Sequence, residues 1–207
     1  MVIPAWLRRG LIGLFFGVGL AYLLAVPALY LSQRSLIYPA PRGFAAVPAG
    51  YGKVSYRTGD GLTLAAAWRP PAPGKPVVLF FHGNGDSWQG GAQANRLLTE
   101  AGYGVLLAEY RGYGENPGNP DEAGLYNDAR AALGWLAAQG HAPQRVVVIG
   151  NSIGSGPASQ LASEAQVRAL VLISPFSSLP EVVADKLPWL PASWLVKDRY
   201  ENAAKLG

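Results

Sequence analysis

The chain has 207 residues and a mass of 21.9 kDa, enough for one domain and a small appendage. Half of it is apolar and only 14% is charged, which excludes a disordered chain. With no cysteine there is no disulfide scaffold, no thiol nucleophile and no thiolate-held metal; 26 Gly and 17 Pro without a period exclude collagen-like and repeat architectures. Seventeen Lys and Arg against 13 Asp and Glu give a net charge of +4. The basic residues after Arg8 and Arg9 are scattered, without a block interleaved by aromatics, so nucleic acid is not an expected partner.

From Gly10 to Gln33 no residue is charged. The apolar heart, Leu11 to Leu31, is about 30 Å long as a helix, the thickness of a hydrocarbon core. Residues 1–32 are therefore expected to form a membrane anchor, with Trp6, Tyr22 and Tyr30 near the interfaces. A cleaved signal peptide is the competing reading, but Val26-Pro27-Ala28 is a poor cleavage site and the apolar stretch is long for one. Arg8, Arg9 and the terminal amine face Arg34 and Arg42 across the span, an excess that favours a cytoplasmic N-terminus and a domain on the other side.

A connector over residues 33–50 leads into a domain over 51–207. Lys53–Arg57 and Leu62–Arg69 read as strands around a Thr58–Gly61 turn. Pro76–Phe81 reads as a buried strand, Gln93–Ala101 as a helix and Tyr103–Glu109 as the next strand. Pro120–Gln139 is a helix with Leu125, Ala129, Ala132, Leu133 and Leu136 on one face. Strand Arg145–Ile149, helix Ser155–Ser163 and strand Arg168–Ile173 complete the alternation. The expected fold class is α/β, a mostly parallel sheet covered by helices on both faces.

Gly150-Asn151-Ser152-Ile153-Gly154 lies between a buried strand and a helix. A sharp turn there exposes the central serine in a strained pose, and glycines on either side permit close approach. The bare pattern is common; the strand before it and the helix after it make it specific. Phe81-His82-Gly83-Asn84 follows an earlier parallel strand, so its loop is expected on the same sheet edge. The backbone N–H groups of Asn84 and Ile153 are then candidate donors to an oxyanion formed when Ser152 attacks a carbonyl. His82 reads as a hydrogen-bonded loop residue rather than a general base, and His141 is expected at the far edge. Tyr110–Gly114 reads as a structural turn, and Asp128 and Trp135 as packing and capping residues. Leu179–Trp194 reads either as a small lid over the serine or as sheet cover.

With Gln33–Pro39, Glu109–Gly114 and Ser174–Leu179, these motifs resemble the α/β-hydrolase superfamily, and most the bud-emergence-related, single-pass-anchored branch of serine hydrolases. The resemblance runs from about residue 33 to the end. It implies an α/β-hydrolase fold, Ser152 as nucleophile, the Asn84 and Ile153 amides as oxyanion hole, and hydrolysis of ester, thioester or similar acyl bonds. No metal or organic cofactor is implied; the anchor beside an apolar pocket makes a small-molecule or lipid-like acyl substrate the expected partner along with the membrane itself, and peptides stay open on family grounds. The resemblance also implies two further strands carrying an acid and a late histidine. Downstream of Ser152 stand Asp185, Asp198, Glu164, Glu181 and Glu201 but no histidine. The fold is therefore expected truncated at its C-terminal end. The expectations left open are an incomplete sequence, a truncated inactive product, or a base recruited from elsewhere.

Two rival functions compete with this reading. A nucleotide-binding oxidoreductase would match Gly150, Gly154 and Gly156, but about four strands precede that turn and no Tyr-x-x-x-Lys motif occurs. A non-catalytic, membrane-anchored binding or scaffold protein draws its support from the missing histidine.

Overall fold

The computed structural model describes residues 4–41, 43 and 46–206; Arg42 of the charge comparison lies outside the described residues. Helix α1 (Ala5–Ile37) is an unbroken 33-residue element with no buried residue, long and apolar enough to cross a membrane. It carries Pro27 internally and extends past Gln33, so the first residues of the expected connector are helical.

Among the described residues six strands follow: β1 (Gly52–Arg57), β2 (Thr63–Arg69), β3 (Val77–Phe81), β4 (Gly104–Ala108), β5 (Val146–Asn151) and β6 (Ala169–Ile173). They form one sheet in the order β1-β2-β4-β3-β5-β6. The β1–β2 and β2–β4 pairs are antiparallel, while β4, β3, β5 and β6 run parallel. Every residue of β3 and β4 is buried, as a strand covered on both faces requires.

The alternation along β3 separates two cores. Leu79 and Phe81 join Leu106, Leu125, Leu136, Val148 and Leu161 on one face. Val78 and Phe80 join Val105, Leu107, Ile149 and Trp88 on the other. Helices α4 (Glu122–Ala138) and α5 (Ser155–Glu164) cover the first face, and α2 (Trp88–Ala94) with α3 (Arg96–Glu100) covers the second. Asp121 caps α4 by accepting the Gly124 N–H at 2.7 Å. The helix expected over Gln93–Ala101 begins earlier, at Trp88, and breaks at Asn95, whose side chain donates to the Gly91 carbonyl at 2.8 Å. Trp135 packs edge-on against Trp68 at 5.5 Å.

The chain winds outward from β3 to β4, then crosses back to β5 and on to β6. The loops after β3 and β5 therefore diverge at the carboxyl edge, the position at which parallel sheets open a crevice. β6 forms the far edge, with Val171 and Ile173 exposed. Helices α6 (Leu179–Lys186), α7 (Ala192–Leu195) and α8 (Asn202–Leu206) close the described chain. Tyr38, directly after α1, donates to Asp198 at 3.1 Å and shares a 2.8 Å hydrogen bond with Tyr200. Arg34 faces Asp121 and Asp198, so the end of α1 is joined to the domain.

Candidate active site

β5 ends at Asn151, a single 3₁₀ turn covers Ser152–Gly154, and α5 begins at Ser155. Ser152 has φ +50°, a left-handed backbone that costs a side-chain-bearing residue roughly 1–3 kcal/mol. Its neighbours hold it there. Ile153 is buried in the sheet core, and Gly154 passes so close to β3 that a Cβ on it would lie 2.3 Å from the Phe81 carbonyl oxygen. Only glycine fits that crossing. The Ile153 N–H belongs to the first turn of the helical segment, where backbone donors lack intrahelical acceptors.

The loop after β3 meets this turn. A Cβ on Gly83 would stand 3.7 Å from the Ser152 Cβ, so the Gly83–Asn84 peptide and the Ser152–Ile153 peptide share one corner. Asn84 is exposed, and its N–H has no acceptor among the described residues.

His82 anchors the loop from below. Its Nδ1 faces the Gly83 carbonyl at 2.9 Å and its Nε2 faces Glu109 Oε1 at 3.0 Å. The other Glu109 oxygen accepts the Trp88 N–H at 2.9 Å, and the Tyr110 hydroxyl donates to the His82 carbonyl at 2.7 Å. Both ring nitrogens are thus engaged away from the Ser152 hydroxyl. Tyr110 and Tyr113 pack on the ring, with centroids 4.3 and 5.3 Å away.

Beneath lies a second charged group. Arg111 donates to Asp128 from its backbone N–H, Nε and Nη2 at 2.7–3.0 Å, and to Asp60 from Nη1 and Nη2 at 2.7 and 3.1 Å. Asp128 is therefore an ion-pair partner rather than a cap. Burial pushes its carboxyl up from the usual range, against the pull of Arg111. The Arg111 and Thr58 hydrogen bonds hold Asp60 well below that range. Sequence reasoning missed Glu109 and this charged cluster as site supports. A legible signal was Asp128 itself, three residues after Leu125 on the apolar face of α4, where a carboxylate needs a partner.

The downstream acids lie as follows. Asp198 is buried and tied to Tyr38 and to the Glu122 N–H at 3.3 Å; Glu164 pairs with Arg130. Glu201 pairs with Arg199, Glu181 accepts from Ser177, and Asp185 is exposed on α6. His141 stands before β5, beside Trp68 at 5.6 Å, at the opposite edge from Ser152. Burial and the nearby Arg145 lower its pKa. Among the described residues no three His, Asp or Glu side chains converge as a metal site requires.

Residues 76–204 match the family model described as the alpha/beta hydrolase fold. The chain is 40% identical over 186 residues to the uncharacterized protein Rv2307c of Mycobacterium tuberculosis, covering 86% of this chain and 66% of that one. It is 32% identical over 183 residues to protein bem46 of Schizosaccharomyces pombe, covering 81% of this chain and 61% of that one. A segment of 113 residues is 34% identical to the lysophosphatidylserine lipase ABHD12 of Danio rerio, covering 51% of this chain and 29% of that one. Among solved structures, an alpha-beta hydrolase from Vibrio vulnificus superposes with a TM-score of 0.61 at 27% identity, covering 76% of this chain and 60% of that one. The chain thus spans just under two thirds of the length of the first curated relatives it matches.

Proposed function

The chain belongs to the alpha/beta hydrolase fold family, and from that premise we propose that it serves as a membrane-anchored serine hydrolase of ester, thioester or similar acyl bonds. The observation that carries the proposal is Ser152 in a left-handed backbone at a strand-to-helix turn, beside the Gly83–Asn84 peptide. In this reading the Ser152 Oγ attacks the substrate carbonyl carbon and the carbonyl electron pair moves onto oxygen. The N–H groups of Asn84 and Ile153 stabilise that oxyanion, a contribution of roughly 3–4 kcal/mol per donor in comparable sites. Collapse expels the alcohol or thiol with a proton and leaves an acyl-serine; water then releases the acid and restores the hydroxyl. A general base accepts the serine proton, a role to which the described residues assign no side chain.

The anchor reading is supported by the uncharged, unburied length of α1, and Arg8 with Arg9 favours a cytoplasmic N-terminus. A lipid-like acyl substrate is supported by that anchor and by the lipase among the relatives.

A fluorophosphonate probe applied to membranes of the native host tests the chemistry. We expect labelling that disappears in Ser152→Ala. Labelling that survives the substitution, or none in the parent protein, overturns the proposal and favours the non-catalytic binding reading.

A further inference from the structure

We propose that the segment Leu187–Val196 is a second membrane-embedded element, lying in the acyl region of the leaflet through which α1 emerges. The inference rests on the reading of α1 as a membrane-spanning helix and concerns a different part of the chain.

The first observation is compositional. Leu187–Val196 is ten residues without a charge, including Trp189, Trp194 and four other large apolar side chains, and it is bounded by Lys186 and Lys197. Tryptophan between an apolar stretch and flanking lysines is the composition of a membrane interface. Leu190 and Ala192 are buried, but the two tryptophans are not hidden in the domain: Trp194 is 89% exposed and Trp189 49% exposed.

The second observation is where the segment sits along α1. Trp189 packs edge-on against Tyr22, ring centroids 6.0 Å apart, and its carbonyl faces the Tyr22 hydroxyl. Further along, the Gln33 side chain donates to the Leu195 carbonyl at 3.3 Å and accepts the Lys197 N–H at 2.8 Å. The Lys197 ammonium lies 4.0 Å from the centre of the Tyr30 ring. Contacts therefore run from Tyr22 to Gln33, about 16 Å of helix at 1.5 Å per residue.

That span fixes the depth. A hydrocarbon core of about 30 Å takes roughly 20 helical residues. Even if the core begins at Gly10, directly after the Arg8 and Arg9 charges, its far boundary falls near Leu29. Tyr22 then lies about 10 Å inside the core rather than near the interface expected of it, and only Tyr30 keeps the interfacial position. Whatever packs against Tyr22 is at that depth, and Trp189 packs against Tyr22. The lysine that bounds the segment, Lys197, reaches α1 at Tyr30, where the helix enters the headgroup layer. Between α1 and the segment runs a groove of about 200 Å³, walled by Val26, Leu29, Val183, Leu187 and Leu190 with Gln33 at one side. Open to lipid, such a groove is filled by acyl chains rather than water.

Because the chain has no cysteine, one introduced cysteine carries one label. The full chain bearing Ser193→Cys, labelled with an environment-sensitive nitrobenzoxadiazole probe, is reconstituted into phosphatidylcholine vesicles with nitroxide-labelled acyl chains. Leu20→Cys reports the anchor, and Glu100→Cys, on exposed α3, reports the aqueous domain surface. We expect acyl nitroxide to quench the probe at position 193 several-fold more than at position 100, with blue-shifted emission. Trp194→Cys repeats the measurement, so a local disturbance by one label does not decide the result. Quenching at position 20 with water-like emission at 193 and 194 overturns the embedded element and leaves the anchor standing. Quenching at 193 and 194 without quenching at 20 removes the anchor and overturns the placement argued from it, leaving only a segment that binds the bilayer by itself. Quenching at none of the three overturns both.

Discussion

His82 Nε2 and Glu109 Oε1 stand 3.0 Å apart in the buried floor beneath the Gly83–Asn84 peptide, and the opposite ring nitrogen faces the Gly83 carbonyl at 2.9 Å. The pair sets the direction of the Gly83 carbonyl and, through the same peptide plane, of the following Asn84 N–H.

Glu109→Gln breaks that arrangement while keeping its volume. Leaving a buried hydrogen-bonding group without its partner costs roughly 1–3 kcal/mol, a sizeable share of the 5–15 kcal/mol of a typical domain. The urea midpoint is expected to fall accordingly. A loss below about 1 kcal/mol, the scale of an exposed pair, contradicts the assignment.

Ser152→Gly removes the left-handed penalty, roughly 1–2 kcal/mol, and adds unfolded-chain entropy worth roughly 0.5–1 kcal/mol. The expected outcome is unchanged or slightly raised stability, with fluorophosphonate labelling abolished. A fall in Tm would show that the Ser152 side chain holds the turn together, contrary to the strain seen in its backbone.

At the Gly154 crossing the expectation is opposite. The added methyl of Gly154→Ala meets the Phe81 oxygen at 2.3 Å and the His82 oxygen at 2.8 Å, both backbone atoms that move only with β3. Overpacking of this kind costs roughly 1–3 kcal/mol. At roughly 2–4 °C per kcal/mol for a chain of this size, calorimetry is expected to show a Tm lower by about 2–12 °C.

Acid stability carries the signature of Asp60. Arg111 and Thr58 depress its folded pKa below the unfolded value near 4. The stabilisation is thus complete above that unfolded value and is lost as pH falls through the acid range. The Asp60 side chain is 39% exposed, which limits the effect to about 1 kcal/mol or less. Asp60→Asn is expected to be less stable than the parent at neutral pH, with the gap narrowing progressively as pH falls below about 4. Stability curves that stay parallel throughout the acid range would contradict the pairing.

The parallel sheet was legible in the sequence because β3, β4 and β5 are continuous apolar runs, and their order alternates with helical periods. The turn at Ser152 was legible because its glycines have a local cause. The start of α2 at Trp88 was not, because Gly90 and Gly91 carry low helix propensity. Gly91 instead lets the helix approach Phe80, whose ring would stand 3.3 Å from an added Cβ. The break at Asn95 depends on a side chain folding back on Gly91 rather than on any drop in helical pattern. His82 and Glu109 are 27 positions apart and meet only because β3 and β4 are adjacent and parallel. No local pattern encodes that pairing. The docking of Leu187–Val196 on α1 is tertiary in the same sense, although its charge-free composition can be read directly.

The junction at Tyr38 has a mechanical consequence. A flexible tether lets a domain tumble, presenting its reactive edge to every direction in turn. Here the helix runs into Tyr38 without a hinge, and Arg34, Tyr38, Asp198 and Tyr200 clamp its last turn to α4 and the C-terminal segment. With α1 seated in a bilayer, the Ser152 corner keeps its height and tilt relative to the lipid plane as the molecule turns about the membrane normal. Encounters with molecules diffusing in that plane become a two-dimensional search with orientation already set, while molecules arriving from bulk water meet a surface that cannot turn toward them.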